Sequence, residues 1–345
     1  MKGLKLARAY YDAHIDQLLT AVPKADGRIT AGLVGEGSQC FGFDDEISQD
    51  HDFAPGFCIW LDDEDFDRFG DKLQRSYDAL PKDFCGYSRD NIIARDRLGV
   101  IKISDFYRRF TGSVSGIPET LIDWLFTPEH QLAAATNGEI FRDDTGKFTA
   151  IRRQLLQFYP EDIRRKKIAA RAAVMSQAGQ YNLLRCIRRG DNVAALQAMS
   201  RFTEAAISMI YLLCRRYTPF YKWSFHGLRI DENDQLDASG ASNCESVPAR
   251  QAQPAAEESL ATKLCPLIER LTEVTGLMSR RDFDGAHALA FHLTEEICTA
   301  IATELNRQGI STCKSPFLQD HLREIMDGIT DPQIRSLPPM ADCQN

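Results

Sequence analysis

Two aspartates one residue apart, Asp50 and Asp52, and a glycine-serine pair ahead of them, Gly37 and Ser38, are the residues of this chain best suited to chemistry. All lie in one segment, GEGSQCFGFDDEISQDHDF, residues 35–53. Side chains alternate faces along a strand, so Asp50 and Asp52 are expected on one side and His51 on the other. Carboxylates so placed suit Mg2+ (or Mn2+), hard cations that take oxygen ligands. Glycine lets backbone approach a triphosphate closely, and the Ser38 hydroxyl can hydrogen-bond a phosphate oxygen. Phosphoryl-type transfer is a chemistry that needs such parts. In such a reaction the metal neutralises the triphosphate and the departing pyrophosphate, and positioning supplies most of the rest.

Helices and strands must position these residues. Leu4, Leu6, Tyr10, Tyr11, Ile15, Leu18 and Leu19 recur at helical spacing and predict a helix over 3–21, ended by Pro23 and Gly27. ITAGLVGEGS (29–38) reads as a buried strand running into a glycine turn, and DHDFAPGFCIWL (50–61) as a second strand bent at Pro55-Gly56. Asp62, Asp63 and Glu64 suit the start of a helix reaching about Ala79, and LGVIKIS (98–104) is a third strand. After Pro118 the segments 119–135, 149–158, 161–178, 181–189, 191–216 and 219–228 have helical periodicity. The polar stretch 231–258 reads as a linker or loop. Helices resume at 259–277, 282–307 and about 316–327, and the tail SLPPMADCQN reads as frayed. The expected fold is α+β: a mixed sheet with flanking helices over 1–117, a helical domain over 118–230, the linker, then helices within 259–345.

The Gly-Ser turn followed by Asp-x-Asp resembles the nucleotidyltransferase fold shared by DNA polymerase beta and the kanamycin nucleotidyltransferases. With ATNGEIFRDDTGKFTAIR, YPEDIRRKKIAAR, QAGQYN and RRYTPFYKW further on, the longer string is similar to a bacterial group of such proteins bearing a C-terminal domain of unknown function. The similarity covers roughly residues 30–230. It implies a helical bundle that completes the cleft of the mixed sheet. It also implies transfer of NMP, with AMP from ATP expected, onto an acceptor hydroxyl. Gly37 and Ser38 match the phosphate-binding turn, and Asp50 and Asp52 match the metal carboxylates. The fold commonly supplies a third carboxylate from a later strand, where VIKIS has Lys102 instead. Asp105, at the end of that strand, is the expected substitute, with Asp143, Asp144 and Asp162 as alternatives. The general base stays unassigned.

Other features carry two readings. In FYKW (220–223), Tyr221 and Lys222 form a platform for a base or acceptor with a phosphate contact, or they pack at a helix start. QAGQYN (177–182) is a helix break lining the cleft or a turn between helices. Arg164, Arg165, Lys166 and Lys167 span one helical turn, so at most one or two serve a ligand and the rest are expected in solvent. Asp44, Asp45 and Glu46 read as a solvated acidic turn in which Asp45 caps a short helix. His51 reads as structural, and the remaining histidines show no metal-ligand spacing.

With 43% hydrophobic and 26% charged residues, the 345-residue chain reads as soluble and globular. A net charge of −8 argues against a general nucleic-acid binder, leaving room for a local basic patch within 142–190. The ten cysteines are scattered without a CxxC pair and read as reduced and mostly buried. No apolar run approaches bilayer length and the N-terminal stretch lacks an apolar signal centre, so no membrane partner and a cytoplasmic location are expected. The oligomeric state stays open. Three functional readings follow. The first is an Mg-dependent nucleotidyltransferase using a nucleoside triphosphate and a hydroxyl acceptor (a small molecule, a protein or an RNA end). The second, motivated by Lys102, is a nucleotide-binding module that transfers nothing. The third, by fold analogy alone, is an antibiotic-modifying enzyme, which the locally basic helical text disfavours for cationic aminoglycosides.

Overall fold

Leu6, Tyr10, Tyr11, Ile15 and Leu18 form one buried stripe along α1 (Gly3–Ala21), as the helical spacing requires. The stripe packs on a small mixed sheet. In the computed structural model, which describes residues 1–49, 53–91, 97–230 and 259–343, the strands are β1 (Thr30–Leu33), β2 (Cys58–Leu61), β3 (Asp83–Phe84), β4 (Tyr87–Ser88), β5 (Gly99–Lys102) and β6 (Glu139–Asp143). Four of them form a sheet in the order β5-β2-β1-β6, and β3 pairs with β4 separately. The central strand β1 is antiparallel to β2 and β6, whereas β2 and β5 are parallel.

Every residue of β1 and of β2 is buried, because both faces of the sheet are covered. On one face Ala31, Ile59 and Leu61 join Tyr10, Phe57 and Leu73 in a single cluster. On the other face Trp60 lies 4.3 Å from the Phe148 ring and 5.3 Å from the Phe106 ring. The Tyr107 hydroxyl donates to the Phe148 carbonyl at 3.0 Å and ties α5 (Ile103–Thr111) to α8 (Lys147–Leu156). The helix beginning at Asp62 runs through a π turn at Phe66–Gly70 to Asp78, and the Asp62 carboxylate caps it by accepting from the Asp65 amide at 2.9 Å.

Contacts divide the chain into two units, Met1–Asp123 with Thr127–Phe158, and Trp124–Phe126 with Tyr159–Asn345. The first unit runs past residue 117 because β6 completes its sheet. That strand, EIFRD, is half-buried throughout and sits inside helical text, so no alternation announces it. The expected helix over 119–135 is two helices, Leu121–Phe126 and Glu129–Thr136, parted at Pro128.

Gly138 shows how closely β1 and β6 approach. Its φ is +68°, and a Cβ there would stand 2.0 Å from the Leu33 carbonyl oxygen. Gly138→Ala is expected to cost about 2–4 kcal/mol, the sum of a left-handed non-glycine residue and an overpacked contact. Urea denaturation read on the first unit measures it; a loss under about 1 kcal/mol would mean that the strands separate easily.

The second unit is helical throughout its described residues. Helices α10 (Leu184–Arg188) and α11 (Asn192–Leu213) pack with helices Leu260–Ser279 and Phe283–Arg307 around Leu183, Ile187, Ala195, Val274 and Ala286, and α9 (Glu161–Met175) packs on α11. Three expectations change here. QAGQYN is neither a break nor a turn but part of a π-helical stretch, Ser176–Leu183, joining α9 to α10. Gly179 is there for packing, since a Cβ would sit 2.1 Å from the Phe202 ring, and Gln180 bonds Glu295 and the Pro316 carbonyl. Arg164, Lys166 and Lys167 are not in solvent but 2%, 0% and 3% exposed. The tail is docked rather than frayed as far as Asp342: Lys166 donates to the Leu337 carbonyl, and Lys167 and Arg171 hold the Asp342 carboxylate.

The described cysteines are free; Cys40, Cys58, Cys265 and Cys298 are buried, while Cys85 is exposed. Burial pushes the Cys40 thiol up to about 12, which leaves it inert. No helix of the described residues is long and apolar enough to cross a membrane.

Candidate functional site

Strand β1 ends at Leu33 and runs on through Val34-Gly35-Glu36-Gly37-Ser38. Gly35 and Gly37 have φ of +131° and +106°, backbone that other residues rarely adopt. Nothing lies within 4 Å of a Cβ placed on Gly37, so conformation and not crowding demands glycine there. Gly37 is exposed and Ser38, the first residue of α2 (Ser38–Phe41), is half-buried. Gly42 closes α2 in the left-handed conformation and returns the Phe43 amide to the Ser38 carbonyl at 3.0 Å. The glycine-serine bend expected from the sequence therefore stands at the end of the central strand.

Charge gathers at this bend. The Glu36 carboxylate accepts from Arg109 of α5 at 2.7 Å and lies 3.5 Å from Arg97. Phe106 and Phe110 of α5 approach Gly35, within 3.8 and 3.9 Å of a Cβ placed there. Burial pushes His130 below its ordinary value, opposed by the nearby negative charges of Glu129 and Glu36. Arg97 and Arg109 are residues that sequence reading missed. The RR pair at 108–109 was visible, but nothing in the text says which arginine reaches back to residue 36.

Asp50, His51 and Asp52 lie outside the described residues, as does the segment 231–258. Asp105 sits in the first turn of α5, half-exposed and paired with Arg108. Lys102, at the end of β5, donates to Asp67 at 2.8 Å and lies 5.1 Å from the Phe66 ring centroid. The hydrogen bond that it donates to the Asp67 carboxylate holds the Lys102 ammonium above its ordinary value.

The alternative acids are all committed to backbone. Asp143 accepts from Thr30, the Gly146 amide and Thr149; Asp144 accepts from the Ile29 amide and Arg142. Asp162, in the second unit, accepts from the Thr330 amide and hydroxyl and from the Asp331 amide. Among the described residues no group of three or more His, Cys, Asp or Glu side chains is placed to hold a metal ion.

Two carboxylates near the bend were not foreseen in their roles. Asp44 is 1% exposed, not solvated; one oxygen accepts from the Gly3 amide at 2.8 Å and the other is buried with no hydrogen-bond partner. Asp45 does cap the short helix Ile47–Gln49, accepting from the Ser48 amide at 2.8 Å. Glu139, opposite Leu33 in the ladder, is pushed up by burial and pairs with Arg8 at 3.4 Å.

Tyr221 and Lys222 open α12 (Tyr221–Arg229) in the second unit. Tyr221 is 73% exposed with its ring 4.6 Å from that of Phe220, and the Lys222 ammonium is 5.6 Å from the Trp223 ring centroid. The basic patch expected within 142–190 is largely consumed internally. Arg142 pairs with Asp26 and Asp144, Arg152 bonds two carbonyls, and Arg164, Lys166 and Lys167 are buried.

Compared with known families, residues 124–224 match a domain of unknown function (DUF4037). That span holds EIFRDD, YPEDIRRKKIAAR, QAGQYN and RRYTPFYKW, and leaves the glycine-serine bend outside. No curated protein and no solved structure matches the chain.

Proposed function

We propose that the first unit binds a nucleoside triphosphate at the Gly35–Ser38 bend and transfers its NMP, AMP from ATP, to an acceptor hydroxyl. One observation carries this reading. At the end of the central strand of a mixed sheet, a glycine-serine bend with exposed backbone is flanked by the guanidinium groups of Arg97 and Arg109. Guanidinium forks and open backbone amides are what a polyphosphate chain binds. The Asp50-x-Asp52 pair precedes the neighbouring strand β2 in sequence and would hold Mg2+ (or Mn2+), which supplies charge neutralisation on the phosphates when bound. Ser38 hydrogen-bonds a phosphate oxygen. The acceptor oxygen bonds to the α-phosphorus, the bond from that phosphorus to the β-phosphate bridge oxygen breaks, and pyrophosphate leaves. The acceptor loses its hydroxyl proton to solvent or to a base. The acceptor is a small molecule, a protein or an RNA end.

The test is incubation of the protein with α-labelled nucleoside triphosphates, magnesium and cell extract. Label passing to an acceptor, with pyrophosphate released, is the expected result. Absence of transfer to any fraction, with activity equal in Asp50→Asn, would sink the proposal.

A second reading has its own observation. The Lys102–Asp67 pair occupies the strand end where a third acid would stand, which favours a module that binds nucleotide without transferring it. Tight Mg·ATP binding without pyrophosphate release would decide for that reading.

Glu36 offers a sharper check on either. Its carboxylate lies on Arg109 and Arg97, where a phosphate would compete with it. Glu36→Gln is expected to tighten Mg·ATP binding up to about fivefold, the worth of a half-exposed ion pair. Calorimetry at low and physiological salt reads it, and weaker binding would mean that Glu36 orders the arginines rather than blocking them.

A further inference from the structure

Gly35 has both of its main-chain groups taken by one side chain. Its amide donates to Asn137 Oδ1 at 2.9 Å, and its carbonyl accepts from Asn137 Nδ2 at 2.7 Å. A carboxamide carries an acceptor and a donor side by side, the same pair that a neighbouring strand would present. The β1–β6 ladder stops at Leu33 opposite Glu139, and the φ of Gly138 turns the chain out of strand geometry. Asn137 thus continues the ladder with its side chain, past the point where backbone can.

Asn137 is itself bracketed. Arg152 of α8 donates through Nη2 to the carbonyls on either side of it, those of Thr136 at 2.9 Å and Gly138 at 3.1 Å. Arg152 Nε is buried without a hydrogen-bond partner, and among the described residues no carboxylate pairs with this guanidinium. Burying a cation with only carbonyls for company is costly. Capping the end of helix Glu129–Thr136 accounts for part of the arrangement, since a cation suits a helix C-terminus. It does not account for a bond to Gly138, beyond the helix.

We infer that Asn137 and Arg152 are positioning residues for the polyphosphate site: Asn137 holds the Gly35 peptide so that Glu36-Gly37-Ser38 stay open to phosphate, and Arg152 fixes Asn137 and sets a positive charge behind the bend. The inference rests on the nucleotide reading of that bend. The brace itself is measurable without nucleotide.

The experiment uses the full chain, with amide hydrogen exchange over residues 33–39 and Mg·ATP calorimetry on the same samples. Asn137→Ala should speed exchange there about tenfold or more and weaken Mg·ATP about tenfold. Asn137→Asp adds a signature that loss of packing alone does not produce. A neutral carboxyl offers Gly35 an acceptor and a donor, whereas the ionised form offers acceptors only and faces the Gly35 carbonyl. Protection of the bend should therefore fall as pH rises through the titration of the introduced carboxyl, in that variant alone. Arg152→Lys, still able to reach a carbonyl, should retain more protection than Arg152→Met. Unchanged exchange in Asn137→Ala, or pH-independent protection in Asn137→Asp, overturns the brace. A loosened bend with unchanged Mg·ATP affinity overturns its role in binding. If the exchange arm succeeds but the wild-type protein takes up no Mg·ATP, the brace stands and the nucleotide reading is what fails.

Discussion

Asp50→Asn and Asp52→Asn should each lower NMP transfer by about a thousandfold or more while leaving the melting curve in place, given that a bound cation contributes several kcal/mol of charge stabilisation and each tenfold is about 1.4 kcal/mol. The exchange of carboxylate for amide keeps size and shape and removes only the charge that we propose holds magnesium against the triphosphate. The acids weighed as a third ligand have other partners: Asp105 is paired with Arg108, Asp143 and Asp144 are bonded to backbone, and Asp162 pins residues 330–331. Single-turnover transfer from α-labelled ATP at saturating magnesium measures the loss. A variant that keeps more than about a tenth of the wild-type rate takes that aspartate out of the metal's coordination, because such a loss is smaller than 1.4 kcal/mol.

Asp342→Asn should destabilise the second unit by about 3 kcal/mol, since removing one partner of a buried ion pair leaves the other charge uncompensated. The Asp342 side chain is 1% exposed and lies 3.0 Å from Arg171 and 3.4 Å from Lys167, which is itself 3% exposed. Lys166, next along α9, is buried against Met326 and the Leu337 carbonyl, and burial pushes its ammonium down despite the opposing pull of Asp342. Without that carboxylate three neighbouring cations share an interior with less negative charge to answer them. Urea unfolding reads the change, which should persist at high salt because buried pairs are poorly screened. A shift below about 0.5 kcal/mol would mark the tail as an accessory contact, in the range of ordinary surface substitutions.

Much of the framework was legible in the text because it rests on local rules. The 3–21 helix follows from a stripe of apolar residues at helical spacing, and α1 spans Gly3–Ala21. The glycine-serine bend follows from backbone angles that only glycine adopts cheaply. The strands read over 29–38 and 50–61 contain β1 and β2, since strands covered on both faces read as hydrophobic text, but β2 begins only at Cys58 and residues 53–57 ahead of it are not strand. The alternation of a mixed segment with a long helical one yields the α+β class.

The rest depends on partners far apart in the chain. Strand β6 has no pattern of its own and exists because β1 has an open edge; Gly32 and Gly138 remove the atoms that would keep the two apart. The charged run at 164–167 reads as a solvated face, yet three of its four residues are inside, paid for by carbonyls and a carboxylate up to 175 positions away. Arg97, Arg109, Asn137 and Arg152 meet the Gly35–Glu36 bend or its supports only in three dimensions, across as many as 102 positions. Sequence by itself determined which backbone can bend and which faces are apolar, because those are properties of a residue and its near neighbours. Tertiary structure alone decided which charges are buried and which side chains brace the bend, because the energy of a charge or a hydrogen bond is set by what surrounds it.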